Sequence, residues 1–267
     1  MKILKVILIF IAFIFVISPG YSQEWRNSKH FSGDGNFRIQ DIKLDQNNDI
    51  YISGVIDGNN DTIISNGSYD TYIAKVNQED LTLSWFKQVG GYSFDDFFMD
   101  IAIDGDIIYF LMGGQDSVFF SEDDTLESGG SFDIFLASYY SDGTLNWIRT
   151  IGTGESSQRA TSIDIDNESN LVISGFYTDS IIINSDTTLY GSGTENFIAK
   201  LDNNGNLIWS EALIGSNDRS RITSVTAYSD AYYVDGYFVD DLTFDLGTIK
   251  SSSSNNSDLF LYKTNFS

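Results

Sequence analysis

The chain has 267 residues, with 15 lysines and arginines against 38 aspartates and glutamates, a net charge of −23, one histidine and no cysteine. That charge repels a phosphate backbone and an anionic membrane surface, and the missing Cys and lone His30 exclude disulfides, thiolate catalysis and a Cys- or His-built transition-metal centre. At 42% apolar and 15% aromatic residues, the composition is that of a folded globular protein and not of a disordered one.

At the amino terminus, Lys2 and Lys5 precede an apolar run, 6–17, and a small-residue site at Gly20-Tyr21-Ser22. This order predicts a signal peptide over 1–22, cleaved after Ser22, with an apolar stretch too short to span a bilayer comfortably. The alternative is an uncleaved anchor. Cleavage removes two lysines and takes the net charge from −23 to −25. The expected location is therefore outside the cytoplasm, either secreted, periplasmic or on the cell surface, with no membrane insertion after cleavage.

The next landmark is a repeat. Trp25, Trp85, Trp147 and Trp209 are all the tryptophans in the chain, and they are spaced by 60, 62 and 62 residues. Gly54, Gly113, Gly175 and Gly236 close the segments YISG, FLMG, VISG and YVDG in the same phase, and an acid followed by an aromatic recurs at Asp70, Asp133, Glu195 and Asp258. A period of this size marks a repeat architecture. Within each unit, period-two alternation and Asn/Asp/Gly turns predict short strands: the Trp strand, a Gly-rich loop, a strand such as 160–166, a polar turn, a strand such as 170–175, a hairpin such as 181–189 and a strand such as 197–201. The predicted fold is all-β: a β-propeller domain over 23–267, with four blades of about 60 residues beginning near each Trp. The N-terminal strand, 24–31, is expected to complete the last blade and close the ring.

An acid, then Phe/Tyr-Ile/Leu-Ala-Lys, a turn with Gly, a Trp, a Gly-rich loop and a strand ending in Gly resemble the β-propeller repeat of bacterial secreted and surface proteins, usually described as seven-bladed propeller repeats. The resemblance covers nearly all of 24–267. It implies the fold and an extracellular setting, and it assigns no activity.

In such a fold the interblade loops gather around the mouth of the central channel. They end near Arg38, Phe97, Arg159 and Arg221, each seven residues before the end of the following strand (Asp45, Asp104, Asp166, Tyr228), so three of four blades offer Arg at one position. With Asp95, Asp96 and Asp218 in the same loops, these are the candidate ligand-binding residues. Guanidinium forks at a mouth suit a carboxylate or sulfate. The alternative is that each Arg pairs with the repeated acid and joins blades. Acidic turns at Asp45–Asp49, Asp104–Asp106 and 164–167 carry oxygen donors suited to calcium, but none fits the twelve-residue calcium loop, and Asp and Asn also close turns unaided. No other cofactor or metal is expected. The tryptophans read as interblade core. Tyr92, Phe94, Phe97 and Phe98, which break the repeat, are the aromatics expected at the surface.

These observations lead to an exported, non-catalytic propeller that binds a protein or polysaccharide through its mouth loops. The alternative is a carbohydrate-active enzyme, a glycoside hydrolase or lyase, using carboxylates in the same mouth.

Overall fold

The computed structural model describes residues 28–29, 36–57, 69–91, 96–129, 131–153, 156–215, 218–244, 247–253 and 256–265. Its core is four antiparallel sheets arranged in a ring, the predicted four-bladed propeller. Blade 1 contains β1 (Asn36–Leu44), β2 (Ile50–Asp57), β3 (Asp70–Val76) and β4 (Leu83–Val89). Blade 2 contains β5 (Phe97–Asp104), β6 (Ile107–Gly114), a small hairpin β7 (Ser117–Phe119) and β8 (Thr125–Glu127), then β9 (Asp133–Tyr140) and β10 (Leu145–Thr150). Blade 3 contains β11 (Gln158–Ile165), β12 (Leu171–Asn184), β13 (Thr187–Leu201) and β14 (Leu207–Gly215). Blade 4 contains β15 (Arg221–Tyr228), β16 (Ala231–Phe238), a hairpin β17 (Asp241–Phe244) and β18 (Gly247–Lys250), and β19 (Asp258–Asn265). The expected closing strand, 24–31, lies outside the described residues except for Ser28 and Lys29.

The innermost strands β1, β5, β11 and β15 share one irregularity. Each bulges two to four residues in, between Ile39 and Asp41, Phe98 and Asp100, Ala160 and Ser162, and Ile222 and Ser224. An extra residue on one strand bends it and increases its twist, which turns the inner edge along the channel. Gly54, Gly175 and Gly236 sit opposite the residue before each bulge, and a Cβ there would overlap the carbonyl oxygen of Arg38, Arg159 or Arg221. In blade 2 the residue at that position is Met112, and Gly113 is one place further on, with nothing nearer to its Cβ position than the Met99 methyl at 3.3 Å. The Gly landmark of blade 2 is therefore out of register with the other three.

Three apolar seams join successive blades. Ile73 of blade 1 shares a cluster with Phe98 and Ile101 of blade 2, Leu136 of blade 2 with Ala160 and Ile163 of blade 3, and Ile198 of blade 3 with Ile222 and Val225 of blade 4. Full burial of a Leu or Ile side chain is worth about 1.5–3 kcal/mol, so these seams dominate the stability. Phe98, expected at the surface, belongs to the first seam because it stands at the seam-facing place that Ala160 and Ile222 hold in the next two blades.

The tryptophans reinforce the seams from the outer side. Trp85 Nε1 donates to the Ser141 carbonyl at 3.0 Å and Trp147 Nε1 to that of Asn203 at 3.2 Å, each on the next blade's turn. Gly143 (φ 85°) and Gly205 (φ 79°) lie flat against these indoles, where a side chain would collide with the ring. Hairpins add a further link, because each continues the sheet of the preceding blade. Phe119 exchanges hydrogen bonds with Gly90 at 3.0 and 3.3 Å, Thr153 donates to Ile182 at 3.2 Å, and β17 pairs with the end of β14.

Candidate functional site

The four innermost strands line a pocket of about 330 Å³ that is open to solvent, with Lys43, Asp100, Ile101, Ser162, Asp164 and Thr226 among its walls. An inner strand has a free edge, and its buried N–H groups need acceptors. Carboxylates of the preceding blade supply them. Asp100 Oδ2 accepts from Ile163 N and Ser162 Oγ, both at 3.0 Å, and Asp164 Oδ2 accepts from Ala227 N at 2.8 Å. Lys43 Nζ lies 3.5 Å from Asp41 and 3.7 Å from Asp100. Burial raises the Asp100 pKa against the opposing pull of the Ile163 N–H, Lys43 and Ser162. The sequence reading missed these channel residues, although Asp41 and Asp100 share one bulge position.

The candidate mouth residues occupy one register position at the start of the inner strands. Arg38, Phe97, Arg159 and Arg221 each come immediately before the first residue of the bulge. Their surroundings differ. The Arg159 guanidinium carbon lies 5.0 Å from the Phe97 ring centroid and 4.6 Å from that of Phe132, and the two rings are 5.5 Å apart. Phe97 and Phe132 both belong to blade 2, so this stack spans a seam. Arg221 lies 4.4 Å from the Phe176 ring of blade 3, and its Nη1 donates to the carbonyls of Ser220 and Asp218 at 2.6 and 3.0 Å. Arg38 is exposed at the start of β1. Neither Arg159 nor Arg221 forms an ion pair with a repeated acid among the described residues; each reaches the preceding blade through an aromatic face. Sequence reasoning missed Phe132 and Phe176, although Phe132 immediately precedes the repeated Asp133.

The repeated acids instead close loops. Asp133 Oδ2 accepts from Gly129 N at 2.6 Å, Glu195 Oε2 from Gly215 N at 2.8 Å and Asp258 Oδ2 from Ser252 N at 2.6 Å, while Asp70 accepts from the Gln88 amide. Burial raises the Asp133 pKa to about 6, opposed by the Gly129 N–H, and burial also raises that of Glu195. Of the candidate acids, Asp96 is buried and accepts from Gly91 N at 2.7 Å, Asp218 is exposed and accepts from Thr194 N at 2.8 Å, and Asp95 lies outside the described residues, as do Tyr92 and Phe94.

In the acidic turns, Asp45 Oδ1 accepts from Asn47 N and Asp49 N at 2.8 and 2.9 Å, and Asp166 Oδ1 accepts from Glu168 N and Asn170 N, both at 2.9 Å. That is turn closure by Asp itself. Among the described residues no group of three or more His, Cys, Asp or Glu could hold a metal ion. Asp166 also bridges two elements, since its Oδ2 takes the Lys200 ammonium at 3.0 Å and the Tyr232 hydroxyl of blade 4 at 2.8 Å.

No protein-family model matches the chain, and no curated protein matches it. The four-bladed propeller is accordingly what the structure itself establishes, and a propeller alone names no activity.

Proposed function

We propose that the protein is an exported, non-catalytic binding module of the secreted propeller-repeat type, and that its mouth holds a protein or polysaccharide through carboxylates on the ligand. The observation that supports this reading is the Arg159 stack. Two rings hold the guanidinium face, while its N–H edge has no hydrogen-bond partner among the described residues. A guanidinium fixed in this way loses little further freedom on pairing with a carboxylate, so its bidentate geometry is pre-organised. The described candidate acids, Asp96 and Asp218, close loops as acceptors, which favours binding over acid–base chemistry. Export rests on the 1–22 leader, and amino-terminal sequencing of protein recovered outside the cytoplasm should begin at Gln23.

Thermal-shift titration with oligouronates, sulfated and neutral oligosaccharides tests the site, because a ligand of the folded state raises the melting temperature as RT ln(1 + [L]/Kd). The expected result is a shift with the uronate that is lost in Arg159→Ala and largely lost in Arg159→Lys, with both variants folded. A flat response to all sugars would move the reading to a protein ligand, and glycan turnover would replace it with the enzyme reading.

A further inference from the structure

Each of the three seams mates one kind of face with another: the third strand of one blade with the inner strand of the next. Among the described residues one copy of each is unmatched. On β19, Leu259 and Leu261 are 87% and 74% exposed, whereas the residues in their places on β9, Ile134 and Leu136, are fully buried. On β1, Ile39, Ile42 and Leu44 are 57%, 61% and 61% exposed, while Phe98, Ile101, Ala160, Ile163, Ile222 and Val225 at the first two of those places are all buried. No apolar cluster joins blade 4 to blade 1 among the described residues. On that side of blade 1, Ile52 and Ala74 are buried, so the exposed part of its face is the inner strand itself. A strand added to the edge of β19 would not cover these side chains, because they project from the face of the sheet. Only another face covers a face.

The geometry points to a second copy of this chain as the occupant, with the β19 face of one copy packed on the β1 face of the other. The mating surface is already built three times within each chain, in the clusters around Ile73, Leu136 and Ile198. Head-to-tail contacts of this kind close when a two-fold axis satisfies both pairs of faces at once, which gives a two-chain assembly with no face left over. Both copies are strongly acidic, so their repulsion opposes association and salt relieves it.

Sedimentation equilibrium of the exported chain at rising concentration is the test, with disulfide trapping as a second, independent measurement. The native chain has no cysteine, so Ile42→Cys and Leu261→Cys report only on each other. The expected results are a mass of two chains that tightens with added salt, reversion to one chain in Leu261→Lys, and a covalent two-chain product when the two single-Cys variants are mixed and oxidised. A mass of one chain at all concentrations overturns the proposal. So does rapid oxidation of the double variant, Ile42→Cys with Leu261→Cys, to a single-chain product, since that would mean blade 4 closes on blade 1 of its own chain. Should Leu261→Lys fail to fold, the unmodified chain's mass and the mixed-Cys trap still decide the matter.

Discussion

Strands β1 and β11 are the same strand in different surroundings. Each has an Arg before its bulge, Arg38 or Arg159, and an Ile beyond it, Ile42 or Ile163. In β11 the isoleucine is buried against blade 2 and the arginine is stacked on Phe97 and Phe132, whereas in β1 both residues are exposed. The difference teaches that burial and side-chain order at these positions come from the neighbouring blade, and not from the strand's own residues. It also explains why Arg159 is held between two rings of the preceding blade while Arg38 at the same register is not.

Substitutions can break this contrast. The largest effect is expected at the ion pair beside the third seam, where Lys200 and Asp166 are both almost fully buried. Burial works against the Asp166 charge, but the Asn170 N–H, Lys200 and Tyr232 together hold its pKa below the usual carboxylate range. Lys200→Ala should cost about 3–5 kcal/mol. Its blade 1 counterpart, Lys75 paired with Asp49 at 2.6 Å, is more open, and Lys75→Ala should cost about 1 kcal/mol or less in denaturant unfolding.

The strands themselves come next. Ile163→Ala should cost about 2–5 kcal/mol, as expected for truncating a buried core side chain. Ile42→Ala should change the stability of a dilute single chain by about 0.5 kcal/mol or less. Equal losses at the two sites would erase the distinction between β1 and β11.

Glycines sharpen the comparison through the backbone. Gly175→Ala pushes a methyl into the Arg159 carbonyl and should cost about 1–3 kcal/mol, while Gly113→Ala meets only the movable end of Met99 and should be nearly neutral.

The smallest effect is one of pH. The folded-state pKa of Asp133 is about 6, above its ordinary value, so the folded state holds the proton more tightly than the unfolded state does. Its contribution to stability is present in acid and is lost as pH rises through about 6. Asp133→Asn should therefore raise the melting temperature at pH 7.5 by a few degrees and change it little at pH 4.

Much of this fold was legible in the sequence because single residues do the same job in each blade. The Trp period is visible because Trp85 and Trp147 each need a flat glycine and a turn carbonyl on the next blade, which fixes their spacing. The shared Arg position was legible for the same reason, since the bulge that follows it is repeated. What crosses between blades was not legible. Phe132 and Phe176 lie at unrelated places in the chain and become partners of Arg159 and Arg221 only when the blades stack. The displaced glycine of blade 2 was misread because Met112 occupies the glycine position there. The alternative reading paired the acids with the arginines, yet Asp133, Glu195 and Asp258 bond N–H groups within their own blades.

Hydrogen exchange of the backbone amides, followed at two protein concentrations, tests most directly whether a neighbouring blade is what distinguishes one inner strand from another. In dilute protein, β5, β11 and β15 should be strongly protected, with the Ile163 and Ala227 amides slow because Asp100 and Asp164 hold them, and β1 should exchange faster. At high concentration β1 should slow toward the others. Uniform protection of all four strands at both concentrations would contradict the account, because it would mean that β1 already has a neighbour within its own chain.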